Sequence, residues 1–324
     1  MNEPSAHAEL KGSEDPSART FQTIAVGARV TQFEVMIHRG TLTDLRPIII
    51  LHSIEFPMPP SKAFCEQMWA NGFQVIFVRR AGYGKSSPLP AALITDAAIK
   101  DGATAAAEAV MLRQLIIRLD LDQVSLLAMG SANPVACRLI KMAPEIRFSI
   151  LANPVFNQDI WQVFTPLWFQ NMLRQLITSK SGLYVATQGM KLLIRKDPIA
   201  FFKHILQKDP GDLAYVEANR ADYDVAGQMA LSTPPSQLYY DALMCLNQDP
   251  LLKDDYFANL NTAILIGAHS TDYWQTEMKK EAARLNLSIH YAPEGDIFSA
   301  FASPETVLEM ISVHAPHASV ATPS

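Results

Sequence analysis

Residues 124–142 read VSLLAMGSANPVACRLIKM: an apolar run at 124–127, a cluster of small residues, then apolar positions at Val135, Leu139 and Met142 on a helical spacing. The run predicts a buried strand, the spacing predicts a helix, and the small residues between them predict a sharp turn. A strand-turn-helix of this kind is the setting of the G-x-S-x-G motif. There the nucleophile sits at the apex on strained backbone of positive φ, and its neighbours are small because strand and helix crowd them. The small flanks here are Ala128 and Ala132, which puts Gly130 at the apex. Glycine takes such a conformation without strain, but it has no side chain with which to attack anything.

The rest of the chain is ordinary in composition. It has 324 residues, 49% of them hydrophobic and 18% charged, enough for one large α/β domain with an insertion or for two domains. A net charge of −5 and the lack of a Lys/Arg cluster give no electrostatic case for nucleic acid. Cys65, Cys137 and Cys245 are widely spaced and odd in number, which argues against a disulfide framework and for a cytoplasmic setting. No signal-peptide pattern opens the chain, and no apolar run approaches the ~20 residues of a membrane span. Residues 1–19 and 315–324 have the polar, Pro-containing composition of disordered tails.

Alternation at 23–30 and 31–38 predicts a hairpin turning near Gly27, and PIIIL at 47–51 a strand covered on both faces. Further strands are expected at 73–78, 148–151, 262–266 and 287–291, with helices at 62–70, 104–119, 273–285 and 304–313. Strands alternating with helices imply an α/β fold, a mostly parallel central sheet with helices on both faces. Residues 20–154 and 251–314 form this core, and 155–250, helical in pattern, form a lid inserted between strands. The aromatic run Trp161, Phe164, Trp168 and Phe169 has three readings: packing within the lid, the lining of an apolar pocket, or an apolar patch for a partner or membrane surface.

Five segments in order resemble the α/β-hydrolase fold: PIIILHS, FVRRAGYGKSSPLP, the turn at Gly130, ILIGAHSTD and APEGDIFSAFASPETVLEMI. His52 and Ser53 stand where that family begins its oxyanion hole, so the resemblance makes the backbone N–H groups of Ile54 and Ser131 its donors. Arg80, Gly82, Gly84 and Ser86 match the family's D-x-R-G-x-G-x-S loop, and Arg79 departs from it. The resemblance implies a nucleophile, a histidine base and an acid. Those positions hold Gly130, Asp296 (after Gly295) and Ser270 (three after Gly267), with Asp272 two residues beyond Ser270.

Two rescues of catalysis are open. Ser131 could serve as an esterase nucleophile, but that register puts Met129 and Asn133 at the positions that should be small; its hydroxyl is better suited to capping the helix. His269, oriented by Asp272, could act as a general base in lyase-like or oxygenase-like chemistry. The plainer alternatives are a loop histidine bonded to backbone and an Asp272 that caps the next helix. His290 alternates within a strand. Asp296 could hold a cation or a ligand hydroxyl in an apolar setting, or could be an exposed loop residue. No metal-ligand spacing and no cofactor motif is present. The expectation is a protein of this fold without Ser-His-Asp catalysis, binding a small, partly apolar molecule or a protein partner.

Overall fold

The computed structural model describes residues 21–27, 31–54, 56–156, 167–206, 209–248 and 251–314. The tails expected to be disordered lie outside them. β1 (Phe21–Val26) and β2 (Thr31–Ile37) pair antiparallel around Gly27, as their alternation predicts. Six further strands run parallel to one another. β3 (Arg46–Leu51) takes a central place, and its run of isoleucines is buried because helices cover both faces. α1 (Lys62–Ala70) starts at Ser61, whose hydroxyl accepts from the Phe64 N–H, and leads into β4 (Phe73–Val78). After the short α2 (Asp96–Lys100), the amphipathic α3 (Ala103–Arg118) feeds β5 (Val124–Met129), α4 (Asn133–Met142) and β6 (Ile146–Ala152).

The chain then leaves the sheet. Its described residues form α5 (Leu167–Thr178), α6 (Lys180–Lys196), α7 (Pro198–Leu206), α8 (Pro210–Ala218), α9 (Arg220–Ser232) and α10 (Pro235–Leu246). It returns as β7 (Thr262–Gly267), α11 (Asp272–Leu285), β8 (Ser288–Ala292), the single turn α12 (Ser299–Ala302) and α13 (Pro304–His314). The strand order in the eight-stranded sheet is β1-β2-β4-β3-β5-β6-β7-β8, antiparallel at β1-β2 and β2-β4 and parallel from β4 onward.

One core lies between the sheet and α3, α4 and α11, and α10 adds Tyr239, Leu243 and Met244 to it. The other lies under α1 and α13, and α7, α8 and α9 contribute Phe202, Tyr215 and Tyr223. The inserted helices are thus divided between both faces of the sheet.

A buried charge cluster secures the α10 side. Arg80, just past β4 and fully buried, donates to Asp241 of α10 at 2.7 Å and to Glu108 of α3 at 3.3 Å. Tyr83 donates its hydroxyl to the other Asp241 oxygen at 2.5 Å. Two acids and one cation share this dry site, and burial raises the Glu108 carboxyl against the pull of Arg80. Removing Asp241 leaves the Arg80 charge to Glu108 alone and the Tyr83 hydroxyl without its acceptor, so Asp241→Ala should cost about 3–5 kcal/mol of stability. The Glu108 oxygens accept from Arg80 and from the Ala81 N–H, so Glu108→Gln, which sets an NH₂ against one of those donors, should cost less, about 1–3 kcal/mol. Shifts of the urea-unfolding midpoint distinguish the two.

Candidate functional site

β5 ends at Met129, and the chain turns at Gly130, whose φ is +46°. One tight turn over Gly130–Ala132 passes into α4, which carries Pro134 in its first turn. Ala128 and Ala132 are fully buried against strand and helix, which is why both are small. A Cβ at position 130 would touch the Ser53 Cβ at 3.3 Å, with no other described atom beyond its chain neighbours within 4 Å. The apex therefore presents only hydrogen, with room for a side chain on the flank away from Ser53.

Ser131 is buried, and its Oγ accepts from the Ile54 N–H at 2.6 Å. This is a correction on two counts. The hydroxyl makes no capping bond to α4, and the Ile54 N–H, expected to await a ligand oxygen, already has a partner. His52 is buried as well, with both ring nitrogens engaged. Nε2 accepts from the Arg80 N–H at 3.0 Å, which leaves Nδ1–H to donate to the Ser53 carbonyl at 2.9 Å. Burial, reinforced by the Arg80 charge, pushes its pKa down to about 3, so the ring is a neutral strut.

The other two positions come together. Ser270, buried just after β7, donates its hydroxyl to Asp296 Oδ1. The loops meet this closely because a Cβ on Gly267 would fall 2.3 Å from the Gly295 carbonyl oxygen. Burial raises the Asp296 carboxyl, and the Ser270 hydrogen bond opposes that shift. By contrast, His269 and Asp272 are exposed. Thr271 caps α11 by accepting from the Trp274 N–H at 3.3 Å, and Asp272 is merely its first residue. His290 faces His314, with Nε2 atoms 3.3 Å apart, away from these loops at the sheet edge.

The sequence reading missed an acid of the insertion. Asp212 of α8 accepts backbone N–H bonds from Asp296, Ile297 and Phe298 at 3.0, 2.9 and 3.0 Å. Asp209 caps α8 through the Asp212 N–H at 2.7 Å. Gly211 lies so near that a Cβ there would sit 2.5 Å from the Gly295 nitrogen. The signal was the run Asp-Pro-Gly-Asp at 209–212, which reads as a break and is in fact a helix start aimed at a loop. Beside it, Phe298 packs on Phe56, Tyr215 and Tyr223 at ring separations of 4.6, 5.2 and 5.8 Å. The Tyr223 hydroxyl is buried with no hydrogen-bond partner among the described residues. Trp161 and Phe164 lie outside the described residues. Trp168, expected in a pocket or lid interior, is 66% exposed on α5. No group of His, Cys, Asp or Glu among the described residues is placed to hold a metal ion.

No family model matches the chain, and no curated protein matches it in sequence. Solved structures do match in shape. A Nostoc protein described as an α/β hydrolase has a TM-score of 0.61 at 15% identity, covering 92% of this chain and 99% of its own. The enol-lactonase of Burkholderia xenovorans has a TM-score of 0.57 at 14% identity, over 90% of this chain and all of its own (100%). An esterase of Exiguobacterium antarcticum gives 0.56 at 16%, over 92% and 100%. The protein therefore has the α/β-hydrolase fold. Among the described residues no helix is long and apolar enough to cross a membrane.

Burial pushes the Asp212 carboxyl from 3.8 up to about 6, against the three N–H donors. Asp212→Asn turns one acceptor into an NH₂ facing those donors and should cost about 1–3 kcal/mol at pH 7. Between about pH 4 and 6 the folded wild type holds a proton that its unfolded chain has lost. Its stability relative to Asp212→Asn should therefore fall as pH rises through that window. Chemical unfolding of both proteins at several pH values checks the slope.

Proposed function

We propose that this protein does not perform Ser-His-Asp hydrolysis and uses the volume beside Gly130, under a helical lid at residues 155–250, to bind a small, partly apolar molecule. The observation that carries this reading is the apex itself. At φ +46° a nucleophile would stand there, and glycine supplies none. Supporting it, Ser131 points its hydroxyl at the Ile54 N–H, so neither the replacement nucleophile nor that oxyanion donor is free for an acyl group. The pair at the acid and base positions, Ser270 with Asp296, has no imidazole to shuttle a proton.

What remains suits recognition. Asp296 offers a half-buried carboxyl, and the aromatic cluster around Phe56 and Phe298 gives the neighbourhood its apolar character. A ligand hydroxyl donating to Asp296 satisfies both parts. A free carboxylate would meet like charge.

The test is p-nitrophenyl acetate and butyrate turnover by the purified full chain. A working triad exceeds the uncatalysed rate by about 10⁶-fold or more; this protein should not exceed background. Octanol should raise the melting temperature more than octanoate does, and Asp296→Asn should erase that preference. Ester turnover that disappears in Ser131→Ala would overturn the reading and make the protein a hydrolase with a displaced nucleophile.

A further inference from the structure

We propose that the α5–α6 hairpin is a docking surface for anionic lipid bilayers, lying in the plane of the interface. This does not rest on the reading of the Gly130 site, although the hairpin lies within the segment proposed as its lid.

The inner sides of both helices are taken. α5 and α6 pack on each other and on α10, and α6 also contacts α7 and α9, burying Leu183, Thr187 and Ile194. The outer sides are apolar. On α6, Tyr184, Val185, Leu192 and Leu193 are 55%, 65%, 65% and 57% exposed. They stand eight residues apart in pairs, with exposed Gln188 and Gly189 midway, so they spread over the outer half of the helix circumference. On α5, Leu167 and Trp168 are 67% and 66% exposed and Met172 is 39% exposed. These two helices hold seven of the thirteen large apolar side chains exposed among the described residues. Such concentration marks an interaction surface.

Charge selects the occupant. Residues 167–196 contain Arg174, Lys180, Lys191, Arg195 and Lys196 and no Asp or Glu, in a chain whose net charge is −5. Lys180 reaches Asp96 at 3.4 Å, and Lys191 donates to the Thr233 carbonyl at 3.1 Å. Arg195 and Lys196 are exposed one turn beyond the Leu192–Leu193 pair. Asp197, next in the chain, is turned to α7, where it accepts from the Ala200 N–H at 2.9 Å. An apolar face with cations and no acids of its own fits an anionic headgroup layer. A second copy would bring the same cations against these. Trp168 and Tyr184 are the side-chain types that settle at headgroup depth.

The test is co-sedimentation of the full chain with vesicles of phosphatidylcholine, alone or mixed with phosphatidylserine. The protein should pellet with the serine-containing vesicles, and less as salt is raised. Arg195→Gln with Lys196→Gln should lower partitioning about thirtyfold, the effect of two surface cations. Leu192→Ser with Leu193→Ser should abolish it while leaving the unfolding midpoint in place, because both side chains are already in water. Failure to pellet with either vesicle overturns the proposal, as does equal, salt-insensitive binding to both. So does a dimer by light scattering that Leu192→Ser with Leu193→Ser disperses, which would assign the face to a second copy. An acidic protein captured through these residues without lipid binding overturns it too. None of these results bears on ester turnover, so the two readings stand or fall apart.

Discussion

A single buried guanidinium organises the molecule. Arg80 follows β4 where the strand ends and is fully buried, so its guanidinium depends on protein partners, which its NH₂ groups find and its Nε, among the described residues, does not. It reaches Asp241 on α10, Glu108 on α3 and, at 3.4 Å, the Ser131 carbonyl in the turn beside Gly130. Its own backbone N–H fixes the His52 ring. The end of the sheet, the sharp turn and the inserted helices are thereby referenced to one point. A cluster of this kind contributes little net stability when intact, yet it is costly to disrupt, and that asymmetry gives it the power to specify one arrangement.

Ser270 and Asp296 touch across the loops that follow β7 and β8, at the positions where the family resemblance expects an acid and a base. What differs is the direction of proton flow such a pair permits. A hydroxyl donating to a carboxylate is a static bond, whereas an imidazole between an acid and a nucleophile can accept and return a proton. Asp212 adds a second static element, since three amides of the Asp296 segment converge on its carboxylate.

Much of this was legible in the residues, for physical reasons. The strands at 73–78 and 262–266 announce themselves as apolar runs, and Lys62–Ala70 as a helix, and their bounds fall within one residue of where the sequence puts them. Gly130 was identifiable because only small residues fit beside a strand-to-helix bend. The contacts between distant segments were not legible. Nothing local says that Asp241 will meet Arg80 or that Asp212 will reach the loop after Gly295, because pairing across 161 or 84 residues is decided by topology. Trp168 is a case the residues left open: its neighbours allow lid packing, a pocket lining or an apolar patch, and it lies 66% exposed on α5.

The division of the inserted helices between the two faces of the sheet constrains how anything enters. α10 shares one core, and α7, α8 and α9 share the other, so swinging all of them together would strip both at once. The inserted segment is thus a saddle strapped down on two flanks, not a hinged flap. The α5–α6 pair is carried mainly on other inserted helices, so displacing that pair alone would disturb the two cores least.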